Sequence, residues 1–107
     1  MGFFTKSKKE DNPRFRREMA ARIASHTLKY VSERVGDTDN ILSKGGAMSI
    51  KDGIFSISAG TETIFSCECD KMTSGEFLSM EGAIIEGADT AHGGVCRKII
   101  VYYVYYR

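Results

Sequence analysis

No apolar run in this chain is longer than the eight residues from Ile99 to Tyr106. A bilayer-spanning helix needs about twenty, so no transmembrane segment is expected. The first ten residues, MGFFTKSKKE, place their apolar patch before their lysines, the reverse of a secretory signal, and no small-residue cleavage site follows. Lys6 stands where an N-terminal acylation signal needs Ser or Thr. These features predict a cytoplasmic protein without a lipid anchor. Cysteine is scarce: Cys67, Cys69 and Cys96 form an odd set without the spacing of a disulfide framework, which suits a reducing compartment. Missing too are a Walker A loop, a dinucleotide fingerprint, a His-Glu-x-x-His helix, a calcium loop and a Gly-x-Ser-x-Gly elbow. The common routes to nucleotide, metal-hydrolase and serine-hydrolase chemistry are therefore not signposted.

Charge of one sign is also lacking, since the formal net charge is +1. A nearly neutral domain lacks the strong positive field usual for a nucleic-acid binder. The charges are nevertheless unevenly spread: residues 1–35 carry a net +5 and residues 36–107 a net −4. A basic front and an acidic back can attract each other within one fold or between two copies. The cluster Lys8, Lys9, Arg14, Arg16 and Arg17 could also track phosphates or an anionic surface, although few aromatics are interleaved with it.

What is present fits one domain. A chain of 107 residues can bury a core without staples. With 42% apolar and 27% charged residues it resembles an average globular protein, so neither disorder nor a fibrous repeat is indicated. Residues 1–10 read as a flexible basic tail and residues 11–107 as a single α+β domain. Asp11-Asn12-Pro13 reads as a helix start, because Asp or Asn can cap free N–H groups and proline fits the first turn. From Pro13 to Val35 the apolar residues Phe15, Met19, Ala20, Ile23, Ala24, Leu28, Tyr30, Val31 and Val35 share one helical arc, and Gly36 supplies a stop. A polar linker is expected over Asp37–Gly46.

The period then becomes twofold. Ala47–Lys51 and Ile54–Ala59 flank a turn at Asp52-Gly53, a strong hairpin signal. Thr63, Phe65, Cys67 and Cys69 alternate with polar residues in a third strand. A short helical turn is expected after Thr73 or Ser74, a fourth strand over Gly82–Gly87, a loop over Ala88–Val95, and the longest strand over Cys96–Tyr106. Short connections favour antiparallel pairing. The expected architecture is an N-terminal amphipathic helix packed on a five-stranded antiparallel meander, curled towards a half-barrel.

Two constellations could carry chemistry. Cys67, Cys69, His92 and Cys96 would supply a three-thiolate, one-imidazole zinc site, but Cys-x-Cys on a straight strand presents its sulfurs poorly to one ion. The competing reading makes Cys67 and Cys69 small core hydrophobes beside Phe65. His92-Gly93-Gly94-Val95-Cys96 invites a Cys/His catalytic pairing, yet turn geometry explains its glycines more economically. Neither a cofactor nor a catalytic residue is assigned.

The segments GAMSIKDG (46–53), IFSC (64–67), GEFLSMEG (75–82) and the closing YYVYYR resemble a group of small, uncharacterised bacterial proteins of the clostridial type. The resemblance covers about residues 45–107 and implies no activity, substrate or site residue. The last strand is the more informative feature. Ile100, Tyr102, Val104 and Tyr106 share one face, and Ile99, Val101, Tyr103 and Tyr105 the other. One helix can cover only one face of a sheet, so one tyrosine pair should be core and at most the other, Tyr102 with Tyr106 or Tyr103 with Tyr105, could meet a partner; Phe77, Leu78 and Met80 could cover part of that second face, and a partner subunit would do so more fully. The expected function is accordingly non-catalytic protein–protein contact, self-association included.

Overall fold

A computed structural model describes residues 13–104. Within them the chain runs α1 (Pro13–Ala24), β1 (Leu28–Val35), β2 (Thr38–Ser43), β3 (Ala47–Lys51), β4 (Ile54–Ala59), β5 (Glu62–Glu68), β6 (Thr73–Glu76), β7 (Gly82–Asp89) and β8 (Val95–Tyr103). Short 3-10 turns at Cys69–Lys71 and Thr90–His92 follow β5 and β7. The expected tail and the residues Tyr105 and Tyr106 lie outside the described residues.

The fold is α+β with antiparallel pairing throughout, but it is not one meander. A five-stranded sheet has the order β2-β1-β8-β7-β6, and a separate three-stranded sheet has the order β3-β4-β5. The larger sheet is open, not closed into a barrel. Its central strand is the last one, β8, which pairs with β1 on one side and β7 on the other. A strand apolar on both faces belongs at the middle of a sheet, and Ile99, Ile100 and Val101 are all buried.

The expected long helix is corrected at its second half. α1 stops after twelve residues. The Ser25 N–H turns back to Ala21 O at 3.1 Å, and Ser25 Oγ donates to Arg22 O at 2.6 Å. Leu28 to Val35 then runs as a strand flanked on both sides, because Thr27, Tyr30, Val31 and Val35 suit extended backbone and a second partner strand, β8, is available. Gly36 is indeed in a left-handed conformation at φ 62°, but it opens a two-residue hairpin to β2 rather than ending a helix. The expected linker therefore contains a strand. The expected helical turn after Thr73 is also a strand, β6, held against Ala83–Glu86 of β7.

Local turn chemistry is reproduced faithfully. β3 and β4 have the expected bounds, and Asp52 and Gly53 both adopt positive φ, 54° and 78°, as a type I′ hairpin requires. The inner face of the large sheet, through Val31, Ala83, Ile85, Ile99, Val101 and Tyr103, packs on Phe55, Ile57, Phe65 and Cys67 of the small sheet. Ala20 and Ile23 of α1 close the same core. Truncating any of the fully buried isoleucines to alanine should cost about 2–5 kcal/mol.

Candidate functional site

The sequence candidates for metal and thiol chemistry are dispersed. Cys67 and Cys69 are buried in the core, and Cys96 is exposed. Cys67 lies over Gly87, where an added Cβ would come within 2.5 Å of its Sγ, so sulfur and glycine let the two sheets approach. Burial pushes the Cys67 thiol up to about 11, and burial also raises that of Cys69, which leaves both as unreactive thiols near neutral pH. His92 belongs to a different neighbourhood. Among the described residues no group of three or more His, Cys, Asp and Glu is placed to hold a metal ion.

His92 instead joins a polar seam between the sheets. Its Nδ1 lies 2.7 Å from Asp89 Oδ2, and Asp89 has no solvent exposure. Asp89 also accepts from the backbone N–H of Ser66 at 3.2 Å, from that of Ala91 at 3.0 Å, and from Arg97 Nη1. Arg97 makes a two-toothed pair with Glu33, 2.9 Å from Nε and 2.7 Å from Nη2, and donates to Ile64 O at 3.2 Å. Thr90 Oγ1 donates to Ser66 Oγ at 3.0 Å.

The seam has a clear structural task. Ser66 N–H and Ile64 C=O belong to the outer edge of β5, which has no strand beyond it, and side chains from β7 and β8 satisfy them. Burial alone would raise the Asp89 carboxyl, but the hydrogen bonds from Arg97, His92, Ser66 and Ala91 hold it below the usual range. The Arg97 hydrogen bond likewise lowers Glu33, and Arg97 is raised, chiefly by Glu33. Beside the seam a cleft of about 480 Å³ is lined by Glu33, Leu42, Ile64, His92, Val95 and Arg97. Arg97 directs four of its five N–H donors to Glu33, Asp89 and Ile64, and the Ser66 hydroxyl is engaged by Thr90.

The basic cluster is divided. Lys8 and Lys9 lie outside the described residues. Arg14 pairs with Glu18 at 3.4 Å, Arg16 donates to Asp70 O at 3.0 Å, and Arg17 meets Asp70 Oδ1 at 2.7 Å. Arg22 adds a 2.8 Å contact to the buried Glu76. In the contacts to Asp70 and Glu76 the basic front meets the acidic back within one fold. Glu76 also accepts from the Tyr103 hydroxyl at 3.0 Å, and the His26 ring stacks on Tyr103 with centroids 3.8 Å apart. Tyr103, a candidate interface residue, is thus core, and burial with the Glu76 contact raises its phenol.

Tyr102 points the other way, onto the outer face of the large sheet. Register builds that face in three rows across the strands. One is aromatic: Tyr30 and Tyr102 stack at 4.4 Å, and Phe77 meets Tyr102 edge-on at 5.8 Å. The next runs Ile41, Ser32, Ile100 and Ile84, with Ser32 and Ile100 buried, and the third is charged, with Asp39, Arg34, Lys98 and Glu86. The turn after Phe77 extends the aromatic end with a wholly exposed Leu78 and with Met80, held at φ 63°. Of the described elements, the start of α1 reaches this side, where Phe15 and Met19 share a hollow of about 330 Å³ with Phe77 and Ile84. The sequence reading missed Tyr30, which it had placed on a helix, and missed Glu33, Asp89 and Arg97 as a group. Comparison with known proteins finds no matching family model, curated protein or solved structure.

Proposed function

We propose that this is a non-catalytic protein that works by protein–protein contact, self-association included, through the outer face of its five-stranded sheet. The observation that carries the reading is the Tyr30–Tyr102 stack with Phe77 against it, on the face turned away from the core. Tyrosine combines a large apolar ring with a polar tip that tolerates water, which suits a surface that is sometimes covered and sometimes wet. Leu78 and Met80 extend the apolar area beyond the sheet.

The polar seam supports a structural role better than a catalytic one, because Asp89 and Arg97 are engaged with the backbone at the edge of β5 and with each other. The basic cluster supports a nucleic-acid role less well, because Arg17 and Arg22 face carboxylates of the same chain. Light scattering over a dilution series tests the contact. The mass at micromolar concentration should exceed that of a monomer, and Tyr102→Ser should lower it. A monomer at every concentration, or a Tyr102→Ser variant with the wild-type mass, would contradict this use of the face.

A further inference from the structure

The large sheet has two edges, and they differ. β6 has four residues and packs against α1. β2 has six, and residues 38–41 are exposed. Natural edge strands are usually blunted by lysine, proline or a covering element. β2 contains neither residue, its one charge, Asp39, is neutralised by Arg34 of β1, with contacts of 2.8 and 3.1 Å, and its bulge, where the register with β1 skips from Ile41 to Ser43, lies after the exposed residues 38–41.

The hydrogen-bond phase of β2 follows from its hairpin. Val35 and Thr38 close a two-residue turn and so exchange both bonds, as do Glu33 and Asn40 two places on. Asp39 and Ile41 therefore aim their N–H and C=O groups away from β1. Among the described residues nothing accepts from or donates to these groups. Ile41 is 58% exposed and ends the row that runs from Ile84 and Ile100 across Ser32.

We infer that β2 pairs antiparallel with β2 of a second copy of this chain, about a twofold axis at Ile41. At Ile41 the strand is complementary to itself in that arrangement. Ile41 N–H donates to the partner's Ile41 C=O and Ile41 C=O accepts from the partner's Ile41 N–H, because a residue with both groups pointing outward forms a hydrogen-bonded pair with its own copy. Asp39 lies towards the partner's bulge at Leu42–Ser43, so no like charges meet. The two isoleucines touch on the outer face, and these rows of the two sheets become one. This pairing rests on the proposed self-contact and adds to it: the edge makes a dimer whose two aromatic faces lie on one side of a continuous sheet, and the faces then serve further contact.

Ile41→Pro is a selective probe, since the N–H it removes is not used by β1 and proline is tolerated at outward-facing edge positions. Light scattering on Tyr102→Ser, with and without Ile41→Pro, separates the edge from the face, and circular dichroism checks that each variant keeps its strand content. Tyr102→Ser alone should remain a dimer, and the double variant should be a monomer of unchanged fold. Ile41→Lys, which keeps the backbone donor but places charges together at the axis, should also weaken the dimer in the same background. A monomeric Tyr102→Ser would overturn edge pairing while leaving the face reading intact. A double variant that stays dimeric would overturn it as well, and a Tyr102→Ser variant that keeps the wild-type mass and dissociates only with Ile41→Pro would support the edge and remove the face.

Discussion

Asp89 is a fully buried carboxylate that keeps its charge, and the residues around it explain how. Four hydrogen bonds replace the lost water, one of them from a guanidinium that is itself paired to Glu33. Arg97→Met should therefore cost about 3–5 kcal/mol of folding stability, the usual consequence of leaving one partner of a buried ion pair alone. A fall in the urea midpoint would show it. The pH dependence has a definite sign. Asp89 and Glu33 both have folded-state values below their unfolded ones, so their stabilisation is complete above the unfolded carboxylate range, about 4, and is lost as pH falls through the lower folded values. Thermal melts should fall steeply on acidification below about pH 4, and Glu33→Gln should flatten that acid limb. Arg97 could have been suspected from sequence, since it shares the inward parity of Ile99, Val101 and Tyr103. Its carboxylate partners could not, because Glu33 and Asp89 lie far from each other along the chain.

Elements were legible where the signal was local. The β3–β4 hairpin could be read from Asp52-Gly53 because a type I′ turn needs left-handed backbone at both central positions. Gly53→Ala should cost about 1–2 kcal/mol from that conformation alone, because nothing lies within 4 Å of the added methyl. Equilibrium unfolding would register the loss. The α1–β1 boundary was not legible, for a physical reason. Leu28, Val31 and Val35 recur at three- and four-residue spacing, so they satisfy a helical arc, while Tyr30, Val31 and Val35 equally suit a strand. Pairing with β8, far away in sequence, decides between them. Amide exchange should accordingly protect Val31 and Glu33, which lie between two strands, more strongly than residues at the exposed end of β2.

At the scale of the whole molecule, the charge asymmetry of the sequence is met inside the fold, with Arg17 on Asp70 and Arg22 on Glu76. Fold class and antiparallel pairing could be read from short connections and alternation, but the strand order could not. Placing the last strand at the centre depends on long-range pairing, for which its apolar run was the available hint. That placement divides the two described closing tyrosines between faces: Tyr103 is core, tied to Glu76, and Tyr102 lies half-buried on the outer face beside Tyr30. The most direct test of contact through that face is to compare amide and aromatic NMR signals of the wild-type protein in dilute and concentrated solution. The account predicts concentration-dependent shifts at Tyr30, Phe77, Ile84 and Tyr102, with Phe55 and Ile99 in the core unmoved. Spectra independent of concentration, or shifts confined to residues away from the outer face, would contradict it.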